Sequence, residues 1–373
     1  MPKLLIVAYY FPPYPLVGAF RAAGFHRYLP EFGWETHVVT ATTSAGEEPE
    51  LGVTRFADDQ PRSLPGIQDP SASWAWRNRK AIAAVITREK PDAVLITGGP
   101  FLYFSLGPWI RRKFGLPFVL DFRDPFLNPR HPSRFLRDRV ARFLERRWTR
   151  SAAAILIPIA PMRGDVQARH PEQIHVVENG FDDHVLTQLP PAGSLPGGPV
   201  RTVVYAGKFR ENASPLPLLQ ALKELEGQGE AFRFMHLGVP ASELQDAARA
   251  QGMPVEERGL LPYLEALRLL RASDIGIVYS EGHPFEATTK VYDYIAVGKP
   301  ILGIGVHPDG GIHEILKRYG AYRICPNEPR AIASALRDLL AASPSTASGT
   351  PSAAFGRRYQ TKRLAEILEQ IIP

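Results

Sequence analysis

Short apolar runs rich in β-branched residues recur along the chain, and most of the intervals between them carry helical patterns. The runs read LLIVA, THVVT, DAVLIT, PFVLD, AAILI and IHVVE in the first half, then RTVVYA, FRFMHL, DIGIVY, PILGI and YRICP in the second. Stretches such as AFRAAGFHRYLPEFG, LLQALKELEGQG and YLEALRLLRASD repeat apolar positions at helical spacing. Continuous apolar runs suit strands buried on both faces, and alternation with helices covers a parallel sheet from both sides. The predicted class is α/β. The pattern lapses at LTQLPPAGSLPGGPVRT (186–202), which is rich in Pro and Gly, has no apolar period and separates two series of strands. Such a stretch reads as an inter-domain linker. The predicted domains span 1–185 and 200–352, and the final helical pattern, RRYQTKRLAEILEQII within 356–373, is expected to pack back on the first of them.

Composition agrees with two domains, since 373 residues exceed what one hydrophobic core usually supports. The single cysteine, Cys325, has no partner for an internal disulfide, which points to a reducing compartment. The opening MPKLLIVAYYFPP reads as a first strand rather than a leader, because its apolar run breaks at Pro12 and Pro13. No window approaches the roughly 18 to 20 apolar residues that a spanning helix needs. A cytoplasmic protein, peripheral to the inner face of the plasma membrane at most, is expected. The net charge of +6 is uneven: 24 Lys and Arg face 19 Asp and Glu over 1–183, against 20 and 19 in the remainder. Eight arginines fall between Arg130 and Arg150, with Phe135, Leu136, Val140, Phe143, Leu144 and Trp148 at near-helical spacing. Such a helix can lie on an anionic membrane or bind polyanions. It can equally turn its apolar stripe inward and leave its arginines solvated.

Candidate chemistry begins with EATTKVYDYIAVGKPILGI, where Thr288 and Thr289 open a predicted helix that ends at Gly298. Lys290 in its first turn has the wrong sign for the positive end of a helix. An anion held by the helix amides would turn that lysine into a ligand, and Asp293, one turn on, can accept from the hydroxyls of a ribose. The plainer alternatives are a lysine that reaches solvent or pairs with Glu286 four residues earlier. VVYAGKFREN places Gly207, Lys208 and Arg210 just past the end of a strand, where cations can clamp a diphosphate. YYFPPYPLVGAFR opens a helix near Gly18 with Arg21 in its first turn, a second cation at a positive helix end. Ligand sites in open α/β sheets lie at the carboxyl ends of strands, so two such sheets are expected to share one cleft.

These residues resemble glycosyltransferase family 4, retaining nucleotide-sugar transferases of the GT-B fold, over nearly the whole chain. YFPPYPLVGAFRAAGFHRYLPEFGWETHVVT is similar to the family's opening loop and helix, VVENGFD to its inter-domain segment and TTKVYDYIAVGKPIL to its donor-site helix. LDFRDPF is similar to a segment from a branch acting on bacterial surface polysaccharides. The resemblance implies two Rossmann-like parallel-sheet domains facing an inter-domain cleft. It also implies transfer from a nucleoside-diphosphate sugar, the donor substrate, to a glycan or lipid-linked acceptor hydroxyl, with the leaving phosphate taking the acceptor proton. It puts Lys208 on the donor diphosphate, the Gly18 amide near the same phosphates and Asp293 on the ribose. Three positions depart from the family. Phe285 stands eight before Asp293 where a glutamate is usual, with Glu286 and Glu281 close by, so the second carboxylate is displaced or absent. Ala213 replaces a lysine, for which Arg210 can substitute, and Asp293 is one methylene shorter than the family's glutamate.

The catalytic candidates are therefore Lys208, Arg210, Glu286 and Asp124, and the donor-binding candidates Gly18, Arg21, Gly207, Thr288, Thr289, Lys290 and Asp293. Asp121, Arg123 and Asp124 lie past a strand end in the first domain, suited either to positioning acceptor or sugar or to a mutual salt-bridge network. No cofactor is implied, and with no Asp-x-Asp triplet a metal is not required. A nucleotide-sugar epimerase and a non-catalytic nucleotide-binding scaffold are the alternatives. The absence of a G-x-G-x-x-G disfavours a nicotinamide enzyme, and no stacking aromatics accompany the arginines, so nucleic acid is not an expected partner.

Overall fold

The protein is described by a computed structural model covering residues 1–14, 17–42, 50–58, 69–127, 135–191, 200–209, 213–286, 288–341 and 353–372. Arg210, the start of the basic segment at 130–134 and most of the expected linker, 192–199, lie outside the described residues. The chain divides into two compact units, Met1–Asn179 with Arg357–Pro373, and Gly180–Gly356.

The first unit holds β1 (Lys3–Ala8), β2 (Glu35–Thr42), β3 (Val53–Ala57), β4 (Ala93–Thr97), β5 (Phe118–Asp121), β6 (Ala154–Ile157) and β7 (Ile174–Val176). They form one seven-stranded sheet in the order β3-β2-β1-β4-β5-β6-β7, and every pairing is parallel. Helices α1 (Val17–Tyr28), α2 (Ser71–Glu89), α3 (Leu106–Phe114) and α4 (Phe135–Thr149) accompany it. Strand order reverses between β1 and β4, so the loops leaving those two strands diverge and open a crevice at their carboxyl ends. The terminal helix (Arg357–Ile371) belongs to this unit. Its Leu364, Ala365, Ile367 and Leu368 are buried in one core with Ala22, Phe25 and Leu29 of the α1 region. The Gln360 side chain accepts from the Glu178 amide at 2.8 Å.

The second unit holds α5 (Asp183–Thr187), β8 (Arg201–Ala206), α6 (Leu216–Glu226), β9 (Phe232–Leu237), α7 (Ser242–Gln251), β10 (Val255–Glu257), α8 (Tyr263–Ala272) and β11 (Ile275–Tyr279). It continues through α9 (Lys290–Ala296), β12 (Ile301–Ile304), α10 (Gly311–Tyr319), β13 (Tyr322–Cys325) and α11 (Pro329–Ala341). Six parallel strands run β10-β9-β8-β11-β12-β13, reversing between β8 and β11.

Two strands lie outside the apolar runs, β3 and β10, and both are sheet edges of partly buried residues. An edge strand has only one neighbour and needs no continuous apolar run. The first unit closes at Asn179, earlier than the strand pattern places the boundary, because α5 already belongs to the second unit. Phe181 donates its amide to Phe355 O at 3.0 Å and bridges to Gly356, so the two ends of the second unit adjoin. A Cβ on Gly356 would stand 2.2 Å from Asp183 Oδ1, so any side chain there would have to displace that carboxylate.

Candidate functional site

In the second unit the strand-order reversal brings the end of β8 next to β11 and α9. Tyr294 makes the junction: its hydroxyl accepts from the Ala206 amide at 2.9 Å and reaches Val204 O at 3.4 Å. The Tyr294 ring lies on Gly276 in β11, where a Cβ would come within 2.4 Å of Cδ1. A glycine inside an apolar strand often marks such a close approach. Burial raises the Tyr294 phenol far above its ordinary range, so the hydroxyl keeps its proton.

Beyond Ala206 the turn at Gly207 and Lys208 is held by its backbone. Gly207 N donates to Leu237 O at 2.9 Å, and Tyr205 Oη donates to Lys208 O at 2.9 Å. The fully buried His236 donates from Nε2 to Gly207 O at 2.8 Å, because a carbonyl can only accept, while its Nδ1 faces Glu257 at 3.2 Å. Gly238 has no room for a side chain, as a Cβ would stand 2.1 Å from Gly207 O. Lys208 itself is exposed.

Helix α9 differs from its expected form. It spans seven residues and ends at Ala296, short of Gly298, with Lys299 N closing on Tyr294 O at 3.0 Å. It is buried nearly all round, Val291 to Ala296. The puzzle of Lys290 has a local component: Nζ sits 3.7 Å from Asp293 Oδ2, rather than beside Glu286, so a carboxylate already offsets its charge. Thr288 Oγ1 accepts from Lys290 N at 3.4 Å, whereas Thr289 provides no side-chain cap. Asp293 is 7% exposed and accepts from Tyr263 Oη at 2.7 Å. Glu286 is buried and turned toward its own loop, accepting from the Ser280 hydroxyl and the Glu281 amide.

In the first unit Arg21, expected beside a phosphate, is committed to the protein. Its Nε and Nη2 hold Asp121 at 2.8 to 3.1 Å, and its remaining donors reach Val177 O, Glu178 O and Asn179 Oδ1. Thr97 Oγ1 completes the fully buried Asp121 at 2.8 Å. All five guanidinium N–H groups are thus occupied, which leaves none for a phosphate. Arg123 takes another course from the salt-bridge network envisaged with Asp121: it donates to the carbonyl oxygens of Gly98 and Gly99. Its guanidinium lies against Gly18, where a Cβ would stand 1.8 Å from Nη1. Asp124 is exposed at the same strand ends.

The hydrogen bond from Ala206 N to Tyr294 Oη joins the strand end that leads to Gly207 and Lys208 to the helix that follows Thr288 and Thr289 and carries Lys290 and Asp293. Glu286 belongs to the loop after β11, and Gly18, Arg21 and Asp124 are placed in the first unit. Tyr263, Tyr294 and His236 escape a search for charged motifs; only the glycines at 207, 238 and 276 hint at the close packing they serve. Among the described residues no three His, Cys, Asp or Glu side chains gather as a metal site. No described helix is long and apolar enough to cross a membrane.

Residues 21–185 match the family model for Glycosyltransferase Family 4, and residues 200–342 match that for glycosyl transferases group 1. No curated protein sequence matches the chain. Among solved structures, sucrose-phosphate synthase from Thermosynechococcus elongatus superposes with a TM-score of 0.73 at 14% identity, over 99% of each chain. HepE from Anabaena, in complex with UDP and glucose, gives 0.69 at 17% identity, over 99% of this chain and 100% of that one. The UDP-GlcNAc 2-epimerase of Methanocaldococcus jannaschii gives 0.60 at 12% identity, over 99% and 100%. These structural likenesses establish the GT-B fold.

Proposed function

The chain belongs to glycosyltransferase family 4, retaining enzymes that take a sugar from a nucleotide donor, and from that premise we propose how its own residues do so. Lys208 and Lys290 face the donor diphosphate and offset the charge that builds on it as the glycosidic bond breaks, with no metal needed. Asp293, held by Tyr263, accepts from a ribose hydroxyl. Glu286 keeps the loop after β11 in shape beside the sugar. The leaving phosphate takes the proton of the acceptor hydroxyl, so no side chain is required as base. The acceptor is a glycan or lipid-linked precursor, positioned by the loops after β1, β4 and β5, with Asp124 exposed among them.

The observation that carries this reading is the Tyr294 hydroxyl on Ala206 N, which ties the turn bearing Lys208 to the helix bearing Lys290 and Asp293. A thermal-shift panel of UDP, GDP, ADP and TDP tests it. A diphosphate at a hundred times its dissociation constant should stabilise the protein by about 2.7 kcal/mol. Lys290→Met and Lys208→Met should each remove most of that shift; a shift that survives both substitutions refutes the assignment. Uridine is the first base to try, because UDP is bound in HepE. Metal independence is checked by transfer activity in excess chelator. The shared fold of the UDP-GlcNAc 2-epimerase favours one second reading, epimerisation of the same class of donor. Product formed without any acceptor would select it.

A further inference from the structure

In the first unit, α3, α4 and the segment before β7 enclose a groove of about 830 Å³. Its cationic lining is Arg111 and Arg112 at the end of α3, Arg146 and Arg147 in the last turn of α4, Arg150 just after it, and Arg169 in the segment that leads to β7. Each of these elements leads into the amino end of a strand, β5, β6 or β7. Gly18, Arg123 and Asp124 sit at the carboxyl ends of the same sheet. Four-residue strands separate the two ends by about 13 Å. The groove is therefore distinct from the crevice at the strand-order reversal.

None of the six arginines forms an ion pair with a carboxylate among the described residues. Arg111 donates to Ser151 O at 2.9 Å and Arg146 to Gln167 Oε1 at 3.3 Å, both neutral acceptors. The flanking His170 Nδ1 lies 3.7 Å from Glu172. Six like charges around one hollow repel each other, and among the described residues no carboxylate pairs directly with any of them. Arginine's planar fork matches phosphate oxygens two at a time, and the volume is that of a small-molecule site. Phe143 lines the same groove although it is 62% exposed, so an apolar surface stands beside the cations.

The geometry points to a second anion site here, one that takes the oligophosphate or phosphodiester end of a ligand other than the sugar donor. Two sources supply that chemistry, a soluble oligophosphate and the headgroup of an anionic phospholipid. The site is independent of the donor assignment and fails or stands separately from it.

Titration of the full-length chain with inorganic tripolyphosphate, at about 0.15 M salt, tests the site once Lys208→Met and Lys290→Met have removed the proposed donor cations. Saturable binding is expected, weakened roughly tenfold or more by Arg147→Gln with Arg150→Gln. Both arginines are exposed, so the variant should fold, and on the unmodified background it should keep the nucleoside-diphosphate thermal shift. In parallel, the protein is sedimented with phosphatidylglycerol and with phosphatidylcholine vesicles. Tripolyphosphate binding without vesicle binding assigns a soluble ligand. Retention on phosphatidylglycerol alone, reduced by the two arginine substitutions and by Phe143→Ser, assigns a lipid headgroup. Binding of neither probe, or binding that the arginine substitutions leave unchanged, overturns the site.

Discussion

Tyr294 ties β8 to α9 more directly than any charged residue does, because its hydroxyl is the partner of a backbone amide at the end of β8. Replacing it by Phe keeps the ring on Gly276 but leaves the buried Ala206 N–H without an acceptor, which should cost about 1–3 kcal/mol. Urea unfolding checks the loss, and a parallel titration should show weaker nucleotide binding because Lys208 and Lys290 are no longer held in register. A variant as stable as the wild type would mean that another group satisfies Ala206. Lys290, Lys208 and Asp293 stood out in the sequence because a cation at a helix start and cations past a strand end are local patterns; their donor role is proposed. The sequence could not show Tyr263 or His236, whose partners lie 30 and 29 positions away. Arg21 shows the opposite failure. Its place at a helix start suggested an anion, and only the fold reveals that Asp121, 100 positions along, is that anion.

At the scale of elements, α4 departs most from its sequence pattern. Its apolar residues suggested one inward stripe, yet Val140 and Phe143 are 45% and 62% exposed while Ala141, Glu145 and Trp148 are buried. A glutamate on the inward face disguises the period. Burial is the main reason its carboxyl is pushed up to about 7; Asp165 adds to the rise, while the Gln167 amide, Arg142 and Arg146 oppose it. One oxygen accepts from Gln167 N at 3.0 Å and the other, Oε2, has no partner. Between the ordinary value of 4.5 and about 7 the folded state holds this proton more tightly than the unfolded chain. Stability must therefore fall as pH rises through that window, by about 3 kcal/mol at most from this group. Denaturant melts at pH values on either side of it should show the fall in the wild type and not in Glu145→Gln. Equal slopes in the two proteins would place the titration elsewhere. The edge strands β3 and β10 were hidden for a related reason: with partial burial, neither needs the apolar run that marks a central strand.

For the whole molecule, alternation of strand and helix was enough to read two parallel sheets and to expect the final helix on the first of them, but no local pattern marks the boundary at Asn179, which falls before α5 and before the Pro- and Gly-rich stretch. The terminal helix joins the first unit's core after the chain has built the whole second unit. Leu364 and Leu368 are fully buried there, so Leu364→Ala or Leu368→Ala should remove about 2–5 kcal/mol from the first unit alone. A nucleoside diphosphate bound near Lys208 and Lys290 should instead stabilise the second unit. Scanning calorimetry with both perturbations separates these effects. The leucine variants should lower one transition while the nucleotide raises the other, and the two changes should add, since they touch different cores. A single transition that responds to both would show that the units unfold together.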